Sequence, residues 1–169
     1  MTSALLKEDA RSMNLSLIRC TAAALLVAAP LGSAVAQRAC ADLKNLELPH
    51  TTITSASVAT EGPIPQPAIF GNAAPVVAPE RCEVQAITRP TKDSEIRIEL
   101  WLPVSGWNGK YLQLGNGGWA GWINRTGLIG PLQRGYAVAA TDNGHVSEGS
   151  VPGASCAIGH PEKLIDFGY

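Results

Sequence analysis

The chain has 169 residues, 46% of them hydrophobic and 16% charged, which is long enough for one globular domain and too apolar for a disordered chain. Thirteen basic and 14 acidic side chains leave a formal net charge of -1 with no basic block. That balance excludes nucleic acid or an anionic membrane surface as the main partner.

Residues 17–31 are an apolar run of Ala, Leu and Val around Arg19, closed by Ser33-Ala34-Val35-Ala36. This pattern predicts a secretory signal peptide over residues 1–36, cleaved after Ala36 to leave Gln37 as the mature N-terminus. Its apolar core is too short to span a bilayer, so no membrane anchor is expected after cleavage. Met13 opens a more compact start region than Met1, and neither a lipobox at Cys20 nor a twin-arginine pair is present. A buried amphipathic helix is the competing reading. Export would place residues 37–169 in the periplasm or outside the cell, where disulfides persist.

Cys20 leaves with the signal. A bridge from Cys40 to Cys82 would pin the N-terminal arm to the body, with Cys156 as the odd thiol. No C-x-x-C pair or histidine cluster resembles a zinc site, so no metal ligands are assigned.

After a short helix or turn at Cys40-Ala-Asp-Leu43, Thr51-Thr-Ile-Thr54 reads as strand. Residues 61–81 carry Pro63, Pro65, Pro67, Pro75 and Pro79 without periodicity and read as an extended surface crossing. Residues 82–89 and 95–102 alternate about a turn at 89–94, which predicts an antiparallel pair with Ile96, Ile98, Leu100 and Leu102 on one face. Glu83, Arg97 and Glu99 then point outward to solvent. A turn over residues 103–110 leads to a buried strand at Tyr111, Leu112 and Leu114, which runs into Gly115-Asn-Gly-Gly-Trp-Ala-Gly121. Residues 126–134 supply a helical crossover that Gly130-Pro131 should break or kink, and 135–141 form the next buried strand. Strand, crossover and strand predict a parallel βαβ unit. His160-Pro161-Glu162 reads as a helix start.

The glycine-crowded turn suits two chemistries. Its backbone N–H groups could stabilise the oxyanion of an ester's tetrahedral intermediate. Alternatively, Gly115-Asn-Gly-Gly-Trp-Ala120 fits a relaxed dinucleotide pattern, with Asp142 downstream for a ribose. A tight turn without a ligand is the plain alternative.

Taken together, Cys40-Ala-Asp-Leu43, Cys82, the Trp101-Leu-Pro103 to Trp107-Asn-Gly-Lys-Tyr111 run, the glycine turn, Gly135-Tyr-Ala-Val-Ala-Ala-Thr-Asp142, Gly144-His145 and residues 159–169 resemble the tannase and feruloyl esterase family. The resemblance implies an incomplete α/β-hydrolase fold, with antiparallel N-terminal strands leading into a parallel βαβ sheet. It also implies hydrolysis of aromatic carboxylic esters by a Ser, Asp and His triad, with a lid whose bound calcium lies outside this chain and no cofactor here. By resemblance Gly117 and Gly118 match the oxyanion loop through their backbone. Trp119 and Trp122 flank it as candidate substrate contacts, although packing is their simpler role.

No Gly-x-Ser-x-Gly elbow occurs in the chain, so no catalytic residue is assigned. A local triad of Ser147 or Ser155 with His145 and Asp142 has the wrong order for this fold; Asp142 and His145 are expected to shape the strand exit instead. The chain is therefore expected to be an N-terminal part of a secreted esterase, inactive alone. A secreted, non-catalytic binding module that kept the scaffold is the alternative from another class. No signal of oligomeric state is present.

Overall fold

The computed structural model describes residues 39–65, 74–146 and 153–168. The expected signal peptide lies outside the described residues. A helical stretch over residues 39–42 passes into a 3-10 turn at Leu43–Asn45, as expected for the Cys40 region. The elements that follow are β1 (Thr51–Ala59), β2 (Gly62–Ile64), β3 (Val76–Ala78), β4 (Arg81–Thr88), β5 (Ile96–Pro103), β6 (Tyr111–Leu114), α1 (Arg125–Gln133), β7 (Ala137–Thr141), a 3-10 turn (Ala154–Ala157) and α2 (Glu162–Gly168).

Five strands form one sheet in the order β1-β4-β5-β7-β6. The β1–β4, β4–β5 and β5–β7 pairs are antiparallel, and β6–β7 is parallel. The β6-α1-β7 segment is thus the expected parallel unit, attached to an antiparallel group. β6 sits at the sheet edge rather than inside it, and Tyr111 is 56% exposed. Its glycine-bounded apolar pattern matched a buried strand, but four residues paired on one side leave the other side open.

The register places Trp101 opposite Glu83 on β4 and Val138 on β7, so these side chains share a face. Helix α1 covers that face. Asn124 caps it, its side chain accepting from the Gly127 N–H at 3.1 Å. Leu128, Ile129 and Leu132 then pack with Trp101, Val138 and Ala140. The helix runs through Pro131 to Gln133 without the expected break. An interior proline costs about 3 kcal/mol, whereas each large apolar side chain buried contributes about 1.5–3 kcal/mol. With Leu128, Ile129, Pro131 and Leu132 all buried, packing wins.

Two other expectations are corrected by the same face. The proline-rich crossing contains a two-stranded sheet, β2 paired with β3, and Ile64 and Ala78 enter the α1-side core. Short strands with two or three apolar residues leave too little periodicity to read. Glu83 and Glu99 do not face solvent: Glu99 is 4% exposed and lies under the start of α1. Arg97 is half-exposed, as expected.

On the opposite face the Cys40–Cys82 disulfide is formed and packs with Val84, Leu43, Ile53, Val58, Leu100 and Leu102. The bridge closes a separation of 42 residues in sequence. Cys156 is a free thiol.

Candidate active site

The chain leaves β6 at Leu114 and enters the glycine stretch at the C-terminal ends of the two parallel strands, where open α/β sheets place their ligands. The Ala120 N–H donates to the Gly117 carbonyl at 3.2 Å, which closes a four-residue turn. Both central residues, Gly118 (φ 61°) and Trp119 (φ 58°), are left-handed, as in a type I′ turn. Among the described residues the N–H groups of Gly117 and Gly118 donate to no protein acceptor. A Cβ added at Gly115, Gly117 or Gly118 would meet nothing within 4 Å. The missing side chains therefore leave open space above backbone donors, and no neighbour within the described chain fills it.

The turn is held from behind. The Asn116 side-chain amide donates to the Trp122 carbonyl at 2.8 Å and the Thr141 carbonyl at 3.0 Å, fastening the loop to the end of β7. The sequence signal for Asn116 was hidden, because Asn beside Gly reads first as a turn former. Trp122 takes part through its backbone, and its ring is half-buried. The Trp119 indole stacks on Phe167 of α2, with ring centroids 4.4 Å apart and planes at 17°.

Asp142 and His145 shape the exit of β7. Asp142 Oδ1 accepts the backbone N–H of Arg97 at 2.9 Å and of Gly144 at 3.0 Å. Burial pushes its pKa up, while these two hydrogen bonds and the nearby Arg97 charge pull it back. His145 is buried, with Nε2 3.0 Å from the Trp119 carbonyl and Nδ1 3.4 Å from the Asn143 carbonyl. A local triad is not assembled: both ring nitrogens face carbonyls, Ser155 is exposed in the Ala154–Ala157 turn, and Ser147 lies outside the described residues. The dinucleotide alternative fares no better, since the Asp142 carboxylate is already engaged by Arg97 and Gly144.

Helix α2 seats against this exit. Lys163 Nζ donates to the Gly144 carbonyl at 2.8 Å, and Asn143 Nδ2 to the Phe167 carbonyl at 3.3 Å. Gly144 is left-handed (φ 78°), and a Cβ there would fall 2.7 Å from Asp166 Cβ, so only glycine fits.

Under the loop lies a charge cluster that the sequence did not reveal. Arg125, the first residue of α1, donates from Nε to Glu99 and from Nη2 to Glu83, both at 2.7 Å. Arg81 donates to Glu83 at 2.6 Å and lies 4.2 Å over the Trp101 ring. Trp101 Nε1 donates to Glu99 at 2.6 Å. Burial pushes the Glu99 pKa up, against the hydrogen bonds from Arg125 and Trp101. Among the described residues no group of three or more His, Cys, Asp or Glu side chains is placed to hold a metal ion, and no helix is long and apolar enough to cross a membrane.

The family profile described as "Tannase and feruloyl esterase" matches residues 82–169, which include the turn, the β7 exit and α2. The chain belongs to the tannase and feruloyl esterase family. An uncharacterized esterase of Xanthomonas campestris pv. campestris is 45% identical over 143 residues, which cover 85% of this chain and 24% of that protein. A probable feruloyl esterase B-2 of Neosartorya fischeri is 31% identical over 99 residues, 59% of this chain and 18% of that protein. The crystal structure of feruloyl esterase B from Aspergillus oryzae matches with a TM-score of 0.66 at 23% identity, covering 79% of this chain and 26% of the other. An esterase from Aspergillus oryzae matches with a TM-score of 0.62 at 28% identity, covering 78% and 26%. The fold is therefore part of an α/β-hydrolase-like fold, and the chain spans about a quarter or less of the length of these relatives.

Proposed function

We propose that this member of the tannase and feruloyl esterase family forms the N-terminal part of a secreted carboxylic ester hydrolase acting on esters of aromatic acids. Its role is to hold the sheet and one side of the oxyanion hole. The serine nucleophile, with its Asp and His, would come from sequence this chain does not carry, and so would the lid with its calcium. The observation that carries this reading is the Gly117–Ala120 turn: among the described residues the Gly117 and Gly118 N–H groups donate to no protein acceptor and lie under open space, at the C-terminal ends of β6 and β7.

When a serine alkoxide adds to an ester carbonyl, the carbonyl π electrons move onto oxygen and the negative charge localises there. A fixed backbone N–H aimed at that oxygen stabilises the transition state more than the ester itself, and one such donor is worth about 10²–10³ in rate. Gly117 or Gly118 would supply that donor. Residues 1–36, with the pattern of an export signal, and the Cys40–Cys82 bridge support an oxidising compartment.

The test is to read the source DNA in frame past the Tyr169 codon, express the encoded protein and assay it with methyl ferulate and methyl gallate. A Gly-x-Ser-x-Gly elbow whose serine is needed for hydrolysis is the expected result, with no turnover by residues 37–169 alone. Hydrolysis by residues 37–169 alone, lost in Ser155→Ala, would overturn the reading.

A further inference from the structure

We infer that His145 and Phe167 are positioning residues for the oxyanion-side turn, so that the seating of α2 sets the direction of the turn's N–H donors. The inference rests on the esterase reading for its functional meaning, and on geometry for its content.

A bulky side chain in the left-handed region persists only where its surroundings over-determine it. Trp119 is such a residue, at φ 58°. Its turn partner Gly118 adopts the same region without strain, and a Gly or Asn at 119 would do so too. The tryptophan is held by two anchors from different elements. On the backbone side, a carbonyl can only accept, so the Nε2 of His145 donates to the Trp119 oxygen at 3.0 Å. On the ring side, the indole stacks on Phe167, and His145 tilts against both rings at 5.9 and 6.4 Å.

The Trp119 carbonyl belongs to the peptide whose N–H is that of Ala120, the group that closes the turn on Gly117. Rotating that peptide would break the bond to the Gly117 carbonyl, which shares its peptide plane with the Gly118 N–H, and so release that donor from its direction. His145 therefore acts on the donors through the peptide plane, without touching a substrate. Because Phe167 rides on α2, and α2 is tied to the β7 exit by Lys163 and Asn143, the turn and the helix form one unit.

The test uses the full chain, isotope-labelled, and reads the turn itself by NMR. The three-bond HN–Hα coupling and Cα shift of Trp119 report its left-handed state, and amide exchange at Ala120 reports closure. In His145→Leu the left-handed signature should vanish and Ala120 exchange should rise about tenfold or more, with protection in β4, β5 and β7 unchanged. His145→Gln, whose amide can donate to the same carbonyl, should restore both. Phe167→Leu loosens the other anchor and should raise Ala120 exchange without altering His145. An unchanged Trp119 signature with exchange within twofold in both His145→Leu and Phe167→Leu overturns the inference. So does an equal loss of protection throughout β4 and β5, which would make His145 ordinary packing. None of these readouts involves an ester, so a failed hydrolysis assay with the coupling intact counts against the esterase reading alone.

Discussion

The two faces of the sheet are built from the same alternating strands and end up differently. The face under α1 carries the more polar residues of β4 and β5, Arg81, Glu83, Glu99 and Trp101, yet it is the drier one, with Trp101, Leu128 and Val138 fully buried. The opposite face carries Ile98, Leu100 and Leu102, yet these are only partly covered. Among the described residues, apolar grooves lie there: one of about 290 Å³ beside Cys40, Cys82 and Leu102, and one of about 340 Å³ lined by Leu102, Pro103, Trp107 and Ala137. Trp107 is 63% exposed beside the second groove. Burial follows the covering element: among the described residues the nine-residue α1 crosses one face, and the other has the shorter helical stretch at residues 39–42 with the turn that follows it. The charges tolerate that position because each is paired: Glu99 with Arg125 and Trp101, Glu83 with Arg81 and Arg125.

The sharpest way to break this contrast is to truncate neighbours on one strand that point opposite ways. Trp101→Ala should cost about 3–5 kcal/mol, losing the core ring and a donor to Glu99, whereas Leu102→Ala, half-covered, should cost about 1 kcal/mol. Urea unfolding midpoints of the two variants check the difference. Equal losses would mean that the two faces are equally buried in solution.

The ion cluster comes next. Arg125→Met leaves Glu83 without one of its two arginines and Glu99 facing a thioether, and should cost about 3 kcal/mol. Adding Glu99→Gln should return part of that loss, and a double-mutant cycle on the same midpoints reads the coupling.

On the other face the disulfide ties the shorter cover to β4. Cys82→Ser should lower stability by about 2–4 kcal/mol, a loss measured against the oxidised parent and absent when both proteins are compared fully reduced.

The smallest effect is a slope. Burial raises the pKa of Glu99 and of Asp142 above their unfolded values of 4.5 and 3.8. The folded state then holds these protons more tightly than the unfolded chain. Their stabilising contribution is complete below the unfolded values and is lost as pH rises through the folded ones. Urea midpoints taken upward from pH 4 should carry this downward component, and Glu99→Gln should flatten it; an unchanged profile in that variant would place the titration elsewhere.

Much of the architecture was legible because it is local. The alternation at 82–89 and 95–102, the strand, crossover and strand from 111 to 141, and the helix start at His160-Pro161 all depend on neighbours in sequence, and all appear within a residue or two of the expected bounds. The Cys40–Cys82 pairing was also correct, since few partners were available. The glycine turn was visible as a cluster of absent side chains, and its open donors are what such a cluster permits. Less could be read where a contact joins distant segments. Asn116 holds Thr141, His145 holds Trp119, and Trp119 stacks on Phe167, across separations of 25, 26 and 48 residues; nothing local marks any of the three.

The amino-acid sequence by itself determined the period of each strand, the place of the βαβ unit and the glycines that bare the backbone, because these follow from the conformational preferences of one residue and its neighbours. Which face of the sheet became the interior was decided only by the tertiary structure. Alternation assigns residues to two sides but does not say which side a helix will cover, and once α1 lay over Glu83 and Glu99, pairing with Arg81 and Arg125 made a charged surface part of the core.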